Sequence, residues 1–470
     1  MIPPNKKNRA LRGEAEPRPA VDFWQHAFAV CLGGFLGLSL LKFGNPIILD
    51  RLVERPTNPW EFLFQPWPVV WGYWLLAGLV LLSLTTVRFS RAVPRWIILL
   101  PLIWFAWQIL ASVKTIEPHL TRATVIHFAT CLIFFYLGLF GMSRVRRPGL
   151  LWVGLTIGFA VVVWTGFEQH YGGLEATRQF IYSQPDWRSY PPEYLRKIAS
   201  NRIFSTLVYP NALAGSVILL LPALLWAAWN LTTSWRQILR LSLVAFLAYG
   251  GLACLFWSGS KAGWLIALAM GMVAFAYLPM QRKIKVAVVV GICALGLTGF
   301  LIRFAPYFKK GATSVGARFE YWKAAFAIAK TNPVFGTGPG TFSVSFRKIK
   351  PPEAEMARLV HNDYLEQASD SGVVGFLAYV AFMFGTLSFT FRRMNWDETG
   401  LSFAVSLGLF GWLLQGFVEF SLYIPAMAWC GFMLFGWMTG RLAEMKSTGL
   451  GALDTVSPAN EDSLSERAQP

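Results

Sequence analysis

The sequence predicts an all-α, polytopic membrane protein with about 12 transmembrane helices, and three observations carry that prediction. Apolar residues come in runs of about 20, long enough to cross a hydrocarbon core of roughly 30 Å as helices. Only 14% of the 470 residues are charged and 55% are hydrophobic, whereas a soluble chain carries roughly 25% charged residues. Twenty-one tryptophans and 38 phenylalanines suit interfacial belts and lipid-facing packing better than a soluble core.

In chain order, the expected spans lie near 23–41, 66–87, 94–112, 122–141, 149–167, 206–229, 238–257, 262–279, 284–302, 371–391, 401–420 and 422–440. The first lacks a small-residue cleavage site and reads as a retained helix, not a signal peptide. A very short turn near Tyr423 and Pro425 joins the last two. Residues 1–22 form a basic polar tail, 23–445 the membrane domain, and 446–470 a second tail. The second tail is rich in Ser, Glu, Asp, Ala and Pro, lacks apolar periodicity and is expected to be disordered. No soluble catalytic domain and no internal repeat is visible.

Alternate connections are short and basic: Arg88/Arg91/Arg95, Arg144/Arg146/Arg147, Arg236/Arg240, Arg282/Lys283/Lys285 and Arg392/Arg393. The positive-inside rule places them and both tails in the cytoplasm. It also accounts for the net charge of +17 better than nucleic-acid binding does. The outward connections include three long ones, about 42–65, 168–205 and 303–370. The last has structure of its own. From Gly316, Phe319, Trp322, Phe326 and Ile328 recur at near-helical spacing, and Asn332-Pro333 stops that helix. A glycine turn, Gly336 to Phe342, follows, and a second short helix is expected near 353–359 before His361.

The five cysteines, Cys31, Cys131, Cys254, Cys293 and Cys430, lie inside apolar runs without metal-ligand spacing and read as small hydrophobes. The glycine turn lacks the Gly-Lys-Ser/Thr ending of a nucleotide loop and no strand precedes it. It reads as a structural turn.

Charged groups collect at one face. Glu168 ends the fifth span, Arg202 precedes the sixth and Lys261 sits in the turn between the seventh and eighth. Arg318 and His361 lie in the last outer loop, and Glu419 ends the eleventh span; His127, within the fourth, is the main exception at depth. A secondary transporter places its sites near the midplane on broken helices. An enzyme acting on a lipid head group gathers them at one interface, as here. Guanidinium groups suit a diphosphate through bidentate geometry, Lys261 adds a compact charge, and histidine suits a base near neutral pH.

Blander readings stand beside these. His361 could cap the following helix or contact a head group, while Arg202 and Arg318 could be interfacial anchors. Lys261 could be a snorkelling lysine. Asn362 and Asp363 orient His361 or cap its helix, and no metal site is expected near them. Trp187 and Tyr190 belong to an interfacial belt or stack on sugars.

Four segments, in order, carry a likeness to a known family: RIFSTLVYPNALAG from Arg202, SGSKAGWLIAL from Ser258, ARFEYWKAAFAIAKTNPVFGTGPGTF from Ala317 and HNDYLEQASDSGVVG from His361. The chain resembles the O-antigen ligase and polymerase family of bacterial membrane glycosyltransferases. The resemblance implies a GT-C-like helical fold and cofactor-free, metal-independent transfer at the periplasmic face of the bacterial inner membrane. It also implies an undecaprenyl-diphosphate-linked glycan donor and a glycan, lipid A core or protein acceptor, with no nucleic acid among the partners. By motif position, Arg202 and His361 match the family's essential arginine and histidine, and Arg318 its helix-leading arginine. Lys261 stands where many members carry arginine. On this reading His361 is the base, Arg202 with Arg318 and Lys261 clamps the diphosphate, and Asn362, Asp363, Glu168 and Glu419 support them. Polysaccharide polymerisation within the family, or lipid or polysaccharide transport without transfer chemistry, are the alternatives.

Overall fold

A computed structural model of the chain describes residues 19–89, 92–189, 195, 198–277, 280–309, 313–352, 354–394 and 400–448. Among the described residues, every regular element is helical. The first half holds α1 (Pro19–Lys42), a short α2 (Pro59–Phe64), α3 (Val69–Ser83), α4 (Arg95–Ser112), α5 (Pro118–Tyr136), α6 (Gly149–Glu168) and α7 (Leu174–Ser183). The second holds α8 (Pro210–Leu231), α9 (Gln237–Trp257), α10 (Lys261–Ala276), α11 (Arg282–Lys309), α12 (Thr313–Thr331), α13 (Phe342–Ile349), α14 (Asp363–Arg393), α15 (Gly400–Gln415) and α16 (Pro425–Thr448).

Each expected span falls on an apolar helix. Eight helices among the described residues are long and apolar enough to cross a membrane, which makes this a multi-pass membrane protein. Helices α3, α10 and α15 are shorter, at 15, 16 and 16 residues, against the roughly 20 that a full crossing takes. The figure of twelve crossings stays an expectation. Arg91 and Tyr190 lie outside the described residues, as do residues 1–18 and 449–470, which hold most of both expected tails.

Small residues bring the first helices together. Gly33 and Gly37 of α1 face Gly154 and Gly158 of α6, each pair spaced by four. A Cβ on Gly37 would lie 2.3 Å from the Gly154 carbonyl oxygen, so only glycine permits this approach, the usual device where no hydrophobic force drives helices together. Helix α16 is the most enclosed, with Trp429, Phe432, Met433, Trp437 and Met438 all buried against α1, α5, α14 and α15. Helix α14 kinks at Gly372 (φ 69°, ψ −174°). The expected apolar span begins beside that kink, at Ser371, and the turns before it carry the polar residues Asp363, Glu366 and Asp370.

The segment before α14 has its own small core of Tyr321, Ala325, Ile328, Phe342, Phe346 and Val360. Helix α12 ends at the Asn332-Pro333 stop, but its buried face differs from the expected one. Phe319 is 51% and Phe326 67% exposed, while Tyr321, Ala324, Ala325 and Ile328 are buried. The alanines let α12 approach α14 closely, and the large rings point outward. The short helix expected near 353–359 is not formed by the described residues there. The helix lies earlier, as α13. Pro351 and Pro352 end it, and Lys350 Nζ folds back onto the carbonyls of Pro351, Pro352 and Ala354 at 3.2, 3.4 and 2.9 Å.

Candidate active site

The site grows from the backbone around His361. Its φ of 56° is a left-handed conformation that costs a non-glycine residue of order 1–3 kcal/mol and persists only where neighbours over-determine it. They do so here. Asn362 caps α14, its Oδ1 accepting from the Tyr364 and Leu365 amides at 3.0 and 2.9 Å. Glu366 Oε2 accepts from the Val360 amide at 2.9 Å. Trp322 Nε1 donates to the His361 carbonyl at 3.4 Å. Asp363 reaches across to the α15–α16 connection: its amide donates to Gly416 O at 2.7 Å, and its Oδ2 accepts from the Leu422 amide at 3.1 Å. That connection carries Glu419, so Asp363 fixes the carboxylate opposite its own neighbour.

The result is a dyad. His361 Nδ1 lies 3.2 Å from Glu419 Oε2. Glu419 is buried, and burial alone would push its carboxyl up. Arg318, His361 and Arg202 outweigh that and hold it below its usual range. An ionised carboxylate only accepts hydrogen bonds, so Nδ1 carries a proton, and in the neutral imidazole Nε2 is the nitrogen with the lone pair. Phe420, at 4.7 Å edge-on, and Tyr321, at 6.0 Å, wall the imidazole.

The cations gather on the same carboxylate. Arg318 pairs directly with Glu419 Oε1. Asn211 Nδ2 donates to that oxygen at 2.5 Å and its Oδ1 accepts from Arg202 at 2.7 Å, which ties Arg202 to the dyad. Arg202 Nε also donates to Ser258 O at 2.6 Å. Gly259, at φ 60°, makes room for that side chain: a Cβ there would lie 3.3 Å from Arg202 Nε. Burial lowers the pKa of Arg202, with Glu419 opposing and Arg318 adding, yet a guanidinium stays charged. Lys261 Nζ sits 3.9 Å from the Tyr307 ring centroid. Burial and the nearby Arg202, Arg318 and Arg303 bring its pKa down to about 8. Two guanidiniums, Arg318 and Arg202, thus meet one carboxylate, with Lys261 and Arg303 close enough to feel their neighbours' charge, an arrangement suited to an anionic ligand.

Of the residues singled out in the sequence, Arg202, Lys261, Arg318, His361 and Glu419 converge, with Asn362 and Asp363 holding the backbone. Glu168 does not join them. It is exposed at the end of α6 with its carboxylate against Gly173. Its neighbour Gln169 has the role instead: Oε1 accepts from the Phe204 and Ser205 amides at 3.0 and 2.7 Å, anchoring the chain just after Arg202. Asn211, Gln169 and Arg303 were missed. Asn211 lies inside a quoted segment, but nothing local separates it from an ordinary first-turn asparagine.

Residues 244–380 match the family model described as O-antigen ligase. This stretch of the chain is similar to the O-antigen ligase family. That region holds Lys261, Arg303, Arg318 and His361, while Arg202 and Glu419 flank it. An uncharacterized protein of Haemophilus influenzae is 26% identical over 162 residues, covering 29% of this chain and 40% of that relative. The match spans less than half of the relative's length.

Proposed function

We propose that this protein is a membrane glycan transferase of the O-antigen ligase kind, moving a glycan from a polyprenyl-diphosphate donor to an acceptor hydroxyl at the outer face. One observation carries the reading: the His361–Glu419 dyad leaves a basic nitrogen free beside Arg202, Arg318 and Lys261. In the step, the acceptor oxygen bonds the anomeric carbon as the carbon–oxygen bond to the diphosphate breaks with inversion. Nε2 of His361 takes the hydroxyl proton, and the diphosphate leaves with the electron pair. Pre-set cations stabilise the charge that develops on it. Glu419 holds the tautomer and favours the imidazolium. The acceptor, whether a lipid A core, a growing glycan or a protein, separates ligase from polymerase.

The test is transfer by the purified protein in nanodiscs, with a polyprenyl-diphosphate glycan and each acceptor class. New glycan product that disappears in His361→Ala supports the reading. No product with any acceptor, while donor is bound and released unchanged, replaces it with transport. Orientation is tested separately by single-cysteine labelling with an impermeant thiol reagent. Labels at 202, 261 and 361 are expected from outside, and labels at 146 and 282 from inside. Labelling of position 361 only from the cytoplasm overturns the mechanism.

A further inference from the structure

Helices α9 and α10 are joined by only the turn Ser258–Ser260, yet they enclose a cavity of about 520 Å³ with α11. Its walls are apolar: Tyr249, Leu252 and Phe256 from α9, Trp264 and Leu268 from α10, Gly296 from α11. Tyr249, Leu252 and Phe256 are exposed, so the slot opens at the outside of the bundle. From Tyr249 to Trp257 it follows α9 for about 12 Å at the helical rise. A second space of about 180 Å³ shares Leu252, Leu255 and Ala267 with it and runs on towards α8.

The Trp257 end of the slot meets the cation cluster. Trp257 lines the slot, and the next residue, Ser258, accepts from Arg202. Phe256, in the wall, lies under the Arg303 guanidinium, 4.8 Å from the ring centroid. Arg303 is exposed and faces no carboxylate among the described residues. Lys261, one residue past the turn, feels its charge. A long apolar trough ending in uncompensated positive charge is complementary to a lipid with a hydrocarbon tail and a phosphate head. We propose that this slot seats the tail of the donor lipid next to its diphosphate, and that Arg303 is a further phosphate contact at its mouth. The identity of the donor rests on the transferase reading; the slot itself does not.

The experiment uses photoreactive polyprenyl diphosphate without glycan, its diazirine in the tail, on the full chain in nanodiscs. Crosslinks are expected in peptides spanning 249–257 and 264–268. Ala253→Trp and Ala267→Trp fill the slot from opposite walls and should each cut crosslinking about tenfold, with folding checked by monodispersity. Arg303→Ala should weaken binding of polyprenyl diphosphate about tenfold, one charge-assisted contact, and leave the polyprenyl alcohol unaffected. Crosslinks elsewhere in wild type overturn the slot even if both tryptophan variants misfold, as does competition by ordinary phospholipid at equal concentration. Equal effects of Arg303→Ala on diphosphate and alcohol overturn the role of Arg303. Specific crosslinking without glycan product would leave the slot standing and remove the transferase reading, so the two failures are distinguishable.

Discussion

The two sides of the cation cluster are built differently. On the side of α14 and the α15–α16 connection, side chains pin the backbone: Asn362 caps, Asp363 spans to Leu422, Glu366 holds Val360, and His361 is kept in a left-handed backbone. On the side of α9, α10 and α11, Lys261 and Arg303 lie over aromatic rings and pair with no carboxylate among the described residues, and an open apolar slot lies between the helices. On the proposed reading, the difference separates two tasks. A base must be held to within a fraction of an ångström of a reacting proton, whereas a diphosphate on a long tail needs charge and room. Precision sits on the first side and capacity on the second.

Substitutions can break this division. On the precise side, His361→Ala removes the proton acceptor and leaves the cations, so transfer should fall roughly a hundredfold or more while donor binding persists. Full activity in a folded His361→Ala protein would end the assignment. Glu419→Gln keeps the shape but loses the charge that fixes the tautomer and faces Arg318. Turnover should drop by up to roughly a hundredfold, the scale of the general-base contribution that Glu419 supports, with KM changing far less. A dominant KM effect would move Glu419 from positioning the base to binding donor. Arg202→Ala removes a charged contact of about 1.5–3 kcal/mol, so donor affinity and turnover should both fall, affinity by roughly 10- to 100-fold. Arg202→Lys should recover only part, because the planar fork is lost.

The receptive side responds more gently. Lys261 is cationic below about 8 and neutral above it. Its contribution to donor binding is therefore complete at lower pH and lost as pH rises through that value, a decline of up to about tenfold. Lys261→Arg stays charged and should flatten the decline; an unchanged pH profile would show that another group titrates. The smallest expected effect is none: if arginine and lysine supply the positive charge, chelation by EDTA should leave transfer intact. Activity lost in EDTA and restored by magnesium would show the cluster to be misassigned.

The sequence made the helices legible because apolar runs and basic connections are local signals. Arg202, Lys261, Arg318, His361 and Glu419 were legible as charges at the ends of those runs. The wiring between them was not. Asn211 bridges to a carboxylate 208 positions away, and no periodicity records that. Glu168 and Glu419 look alike as acids ending apolar runs, and only the packing of α15 and α16 separates the buried one from the exposed one. The buried face of α12 was misread because two large rings, Phe319 and Phe326, outweigh the two alanines Ala324 and Ala325 in an apolar pattern, although the alanines permit close approach.

The glycine turn between α12 and α13 bears on the chemistry from a distance. Gly336, Gly338 and Gly340 all adopt positive φ, and the Gly340 amide donates to Asp370 Oδ2 at 2.6 Å. Such a turn offers its amides to an acceptor, and here the acceptor is the chain's own Asp370, whose carboxyl is pushed up to about 8 by burial. The backbone is thereby closed to phosphate at this point. On the proposed reading, a lipid diphosphate is then recognised by long, charged side chains instead of by backbone amides.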